Sequence, residues 1–123
     1  MTVQELYDSI GASYDSAKRI LQMDKLISKF VLKFLDDKSC EKLMSGWEAK
    51  DATAVFEGAH ALKGVGANLG LNHLSEQASA IAEEFRPGNA RTMDDDAVTA
   101  RLAALQADYD KTIAGIRAFA AEP

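Results

Sequence analysis

The chain has 123 residues, enough for one domain with a real core. At 47% hydrophobic and 27% charged residues it reads as an ordinary soluble globular protein, not a disordered one. A net charge of −5 argues against nucleic acid as the main partner, because phosphate binding needs a concentrated basic face.

No apolar run approaches the ~18–20 residues needed to cross a bilayer, so no membrane partner is expected. The opening "MTVQELYDSIG" has neither the basic start nor the apolar stretch of a signal peptide. Cys40 is the only cysteine, so no internal disulfide is possible. The expected location is the cytoplasm.

Alanine, leucine, glutamate and lysine dominate, only two prolines occur, and no stretch alternates in strand fashion. The expected class is all-α. Thr2 caps a short first helix, ended by Gly11. Ser13 caps a second, reaching about Leu21. Asp24 starts a longer helix in which Ile27, Phe30, Val31 and Phe34 repeat at helical spacing. Leu43, Met44 and Trp47 resume that pattern, so one helix is expected to run to about Ala49, kinked near Asp37–Ser39.

Asp51 caps the next helix. Beyond Gly70, a stripe of Leu71, Leu74, Ala78, Ile81 and Phe85 marks another. Pro87-Gly88 lies in the clearest loop. Acids at 94–96 suit the start of the last helix, which carries Val98, Leu102, Leu105, Tyr109, Ile113 and Ile116. Four amphipathic helices with short connections predict an antiparallel up-down four-helix bundle over residues 24–123. The two short helices of residues 1–23 would flank it, within a single domain.

The stretch "EGAHALKGVGANLG", residues 57–70, holds four glycines inside a helical pattern. Each costs roughly 1 kcal/mol relative to alanine in a helix. At about 100° per residue, Leu69 lies about 180° from His60, with Val55, Leu62 and Val65 close to that direction. Those aliphatics define the buried face and place His60 on the outer one. Its outer-face neighbours are Phe56, Glu57, Lys63, Gly64 and Ala67. Gly64 makes this face flat, Lys63 makes it cationic, and Phe56 adds apolar area. Such a patch around an imidazole suits a protein that approaches closely with a phosphoryl group.

"AHALKGVGANLG" resembles the signature of histidine-containing phosphotransfer domains, A-H-x-L-K-G-x-x-A-N-L-G. Ala59, His60, Leu62, Lys63, Gly64, Ala67, Asn68, Leu69 and Gly70 match it. Asp51 occupies the family's capping position nine residues before the histidine. Val65 and Gly66 stand where small hydroxyl residues are common, and Gly58 replaces a frequent leucine. The resemblance covers roughly residues 24–120 and implies a four-helix bundle.

It also implies that His60 accepts a phosphoryl group from a receiver-domain aspartate and passes it to another receiver. Lys63 would neutralise phosphate and Gly64 would give steric access. Phe56, Glu57 and Ala67 would contact the partner. The implied partners are receiver domains of hybrid histidine kinases and response regulators. The magnesium ion would come from the receiver, with no cofactor or metal held by this chain. An imidazole needs no activating base, since its reference pKa of about 6.5 leaves it neutral near pH 7. The chain lacks a G-x-x-x-x-G-K-[ST] loop, so a carrier is expected and not a kinase. It would act as a monomer. A second reading is a helical adaptor that binds a kinase or receiver without taking phosphate.

The remaining chemistry-bearing residues are expected to be ordinary. His73 falls off its helix's apolar stripe and reads as a surface residue. Two histidines and one cysteine, far apart, offer no metal-ligand spacing. Asp94–Asp96 read as a helix-terminus cluster, and adjacent Glu83 and Glu84 face different ways. Trp47 and Met44 read as core, and Cys40 as partly buried. Lys29, Lys33 and Lys42 read as a solvated face, with a rim for an acidic partner as the alternative.

Overall fold

Seven helices follow one another within residues 1–122, the residues this computed structural model describes. They are α1 (Val3–Ile10), α2 (Tyr14–Leu21), α3 (Asp24–Phe34), α4 (Ser39–Glu48), α5 (Ala52–Asn68), α6 (Asn72–Phe85) and α7 (Asp95–Ala121). The chain is all-α.

Local sequence sets most of the boundaries. Thr2 and Glu5 form a reciprocal capping box at α1: Glu5 N–H donates to the Thr2 hydroxyl at 3.1 Å, and Thr2 N–H to the Glu5 carboxylate at 2.8 Å. Asp51 accepts from Ala54 N–H at the start of α5, and Asp94 accepts from Ala97 N–H at the start of α7. Gly70 ends α5 in the left-handed region, φ 72°, and Leu71 N–H reaches back to the Gly66 carbonyl at 2.9 Å. That is a Schellman stop.

Helices α4, α5, α6 and α7 form a closed ring in which each packs on the next and α7 returns to α4. The three-residue links α4–α5 and α5–α6 make those neighbours antiparallel. Leu43, Val55, Leu62, Ile81, Leu105 and Ile116 are fully buried within the ring. At 27 residues, α7 is about 40 Å long and outlasts its partners. Helices α1 and α3 pack against α7, while α2 packs on α5. Tyr7 of α1 is fully buried, and its hydroxyl donates to the Leu69 carbonyl at 2.6 Å, which ties α1 to the end of α5. Among the described residues, no helix is long and apolar enough to cross a membrane.

Two expectations need correction. The helix expected from Asp24 to about Ala49 is two helices. After Phe34 the chain tightens into i→i+3 bonds, with Asp36 N–H on Lys33 O and Asp37 N–H on Phe34 O. The Asp37 carboxylate then accepts from both the N–H and the hydroxyl of Ser39. A short polar side chain has captured the backbone donor that a continuous helix would use, and so starts α4. The second correction is Phe30. Ile27, Val31 and Phe34 are buried, but Phe30 is 37% exposed, with the Lys29 and Lys33 ammonium groups 5.9 and 5.4 Å from its ring centre. Phe30 lies on the side of α3 that faces an open groove also lined by Ile20 of α2 and Val65 of α5.

Candidate functional site on the outer face of α5

The four glycines of residues 57–70 separate into two kinds. A Cβ on Gly58 would stand 2.6 Å from the Leu43 backbone nitrogen, so α4 and α5 cross in near backbone contact. A Cβ on Gly66 would meet Ser75 of α6 at 3.3 Å, and one on Gly70 would meet the Ser13 carbonyl at 2.3 Å. These three serve packing. A Cβ on Gly64 would meet nothing within 4 Å beyond its own stretch of helix. Its missing side chain relieves no clash inside the protein and leaves open surface.

His60 is exposed one turn before Gly64, as the periodicity predicts, while Val55, Leu62 and Leu69 are buried beneath it. Val65, expected on the buried face, is only half-buried. It lies at the edge of that face and lines a groove of about 640 Å³ between α2, α3 and α5, together with Ile20, Phe30 and Asn68.

The Phe56 ring stacks on the imidazole, centre to centre 5.5 Å and 21° from parallel. The remaining area of Phe56 is half-buried against the core. Stacking one turn apart on α5 restricts the imidazole to few orientations. Lys63 follows His60 by three residues and is half-buried. Among the described residues its ammonium makes no ion pair. Its backbone carbonyl accepts the Ser75 hydroxyl at 2.8 Å, which fixes this turn of α5 against α6.

On the other flank, Glu57 pairs with Lys42 of α4 at 3.3 Å. Ala67 is exposed and adds no bulk to the face. The structure thus gathers Phe56, Glu57, His60, Lys63, Gly64 and Ala67 on one surface. Lys42 joins it through Glu57, whereas Lys29 and Lys33 stand over Phe30.

Arg86, at the end of α6, was not singled out by the sequence. Its guanidinium carbon lies 5.5 Å from the Phe56 ring centre, and it binds Glu83 through Nη2 at 2.8 Å and Nε at 3.2 Å. That pairing holds the Glu83 carboxyl below its ordinary range, with a smaller contribution from Lys63. Antiparallel register is the signal that would have found it. With Gly66 opposite Ser75, counting back along α5 and forward along α6 brings Phe56 opposite the residues around Arg86.

The other residues have local roles. His73 is exposed and its Nδ1 lies 3.0 Å from the Asp108 carboxylate. Asp95 pairs with Arg91 and Lys50, and hydrogen bonding from Arg91 lowers its carboxyl. Glu84 turns away from Glu83 and accepts from Thr92 N–H at 2.8 Å. Trp47 packs edge-on against Phe85 and donates to Thr99 at 3.1 Å. Cys40, expected to be partly buried, is 2% exposed, and burial pushes its thiol up to about 12.

No curated protein and no solved structure matches the chain. A family model described as the Hpt domain does, over residues 15–114. That match spans most of the chain and every residue of the α5 surface. The chain belongs to the Hpt domain family, the histidine phosphotransfer domains.

Proposed function

We propose that this chain is a phosphoryl carrier in a multistep His–Asp relay, with His60 as the residue phosphorylated. The reading is carried by one observation: an exposed, ring-stacked imidazole that shares its face of α5 with Gly64, whose missing side chain leaves open surface, and with Lys63, which makes no ion pair among the described residues.

In the forward step the unprotonated imidazole nitrogen attacks the phosphorus of a receiver's aspartyl phosphate. The N–P bond forms as the acyl O–P bond breaks. The aspartate leaves as a carboxylate, and the imidazole keeps its proton on the other nitrogen. Lys63 offsets the charge on the phosphoryl oxygens, and Gly64 lets the two proteins close to in-line distance. The magnesium ion belongs to the receiver in this scheme.

The receiver docks on Phe56, Glu57 and Ala67. Its footprint continues onto the groove beside Val65, where Ile20 at 51% and Phe30 at 37% exposure offer apolar area outside the core. The test is a relay assay with magnesium present. A phosphorylated receiver should lose its label to this chain, and a second receiver should then take it up. A receiver that binds the chain yet never transfers label to it would favour the adaptor reading.

A further inference from the structure

The His60 imidazole is held by a ring face and by no hydrogen bond. The Phe56 ring lies along one of its faces, centre to centre 5.5 Å and 21° from parallel. Among the described residues no protein group hydrogen-bonds or ion-pairs with either ring nitrogen. Glu57, three residues earlier on the same face, is the carboxylate best spaced to do so, but Lys42 engages it at 3.3 Å. Phe56 is itself half-buried and packed on the core, so the imidazole rests on an anchored side chain.

A histidine is commonly oriented by the hydrogen bond that one of its nitrogens makes. A flat hydrocarbon ring orients it differently. The lone pair of the attacking nitrogen points outward in the plane of the imidazole. A stack covers a face, which does not react, and leaves the edge, which does. It also fixes the plane, and with it the line along which phosphorus can be met. An unrestrained histidine on a helix has about two open χ1 wells and about two χ2 orientations, so about four such lines. In a docked complex the receiver holds the phosphorus in one place, and a ring that points elsewhere does not reach it.

We infer that Phe56 is a positioning residue for phosphoryl transfer, setting the line of attack of the His60 imidazole in addition to offering apolar area to the partner. The inference rests on the carrier reading of His60 and deepens it. Phe56 forms and breaks no bond. The imidazole nitrogen bonds to phosphorus, the acyl O–P bond breaks, the aspartate leaves as a carboxylate, and the other ring nitrogen keeps its proton. The aromatic ring raises the fraction of docked complexes in which that nitrogen already points at phosphorus.

The test uses the full chain, with Phe56→Leu to keep the apolar area and remove the flat ring, and Phe56→Tyr to keep both. Single-turnover transfer from a phosphorylated receiver, with magnesium present, is measured across chain concentrations. This separates the maximal rate from the half-saturation concentration. Phe56→Leu should lower the maximal rate about three- to fivefold, the scale of four ring orientations replacing one. Its half-saturation concentration should stay within about threefold, and Phe56→Tyr should restore most of the rate. Potassium phosphoramidate serves as a donor that does not dock: its P–N bond breaks, an N–P bond forms on the imidazole, and ammonia leaves. A free small donor can approach any ring orientation, so the loss with it should be clearly smaller than with the receiver. The His60 ring-proton resonances should shift in Phe56→Leu and less in Phe56→Tyr.

A residue that only contacts the partner would raise the half-saturation concentration and leave the maximal rate alone. That result overturns this inference and leaves the carrier reading standing, as would an equal loss with phosphoramidate or unmoved His60 resonances in Phe56→Leu. A wild-type chain that takes no phosphoryl group from either donor overturns both.

Discussion

Gly58 and Leu43 lie so close that a single added carbon on the glycine would stand 2.6 Å from the leucine's backbone nitrogen. Gly64, six residues along the same helix, faces open space. Alanine scanning should separate the two. Gly58→Ala should destabilise the fold by about 1–3 kcal/mol through overpacking. Gly64→Ala should stabilise it by about 0.5–1 kcal/mol through helix propensity. Urea midpoints measure both, and a destabilised Gly64→Ala would show that this glycine serves packing.

Bulk at Gly64 should obstruct a partner without disturbing the fold. Gly64→Leu should keep or raise its urea midpoint and lower transfer from a phosphorylated receiver by about tenfold or more, since small misplacements are costly in in-line transfer. Equal transfer rates would remove the close-approach argument.

Lys63 contributes its ammonium to the surface, while its backbone carbonyl holds Ser75 in any variant. Lys63→Ala should therefore slow phosphoryl transfer by about ten- to a hundredfold through lost charge neutralisation. Its stability should stay within about 0.5 kcal/mol of wild type. Stopped-flow transfer and a denaturation curve on the same sample test the two halves together.

The Phe56 ring both stacks on His60 and presents apolar area beside it. Phe56→Ala should weaken receiver binding by about tenfold, the loss expected of one aromatic contact. Calorimetric titration with an unphosphorylated receiver measures this, and an unchanged dissociation constant would place Phe56 outside the interface.

The position and outward direction of His60 were legible because four large aliphatics share the opposite side of α5. Caps at Thr2, Ser13 and Asp51 were legible because each is a short polar side chain before an apolar-periodic run, and the acids at 94–96 marked the start of α7, whose cap is Asp94. The break between α3 and α4 was harder to read. Apolar spacing continues across it, and the stop depends on the Asp37 carboxylate capturing Ser39. Phe30 misled for a related reason: periodicity reports which residues share a face, but not whether another helix covers it. Gly58 reads as a departure in sequence and proves to be a crossing point, because its partner Leu43 lies on another helix. Arg86 also sits at the end of another helix from that of its partner Phe56, and only the antiparallel register of α5 and α6 brings the two together.

The account depends most directly on His60 as the bond-forming residue. Wild type and His60→Gln should be incubated with the same phosphorylated receiver, and the label on each chain tested for acid lability and base stability. The account predicts an acid-labile, base-stable label on wild type, and none on a His60→Gln chain with the wild-type helical spectrum and urea midpoint. Label that persists on folded His60→Gln would contradict it.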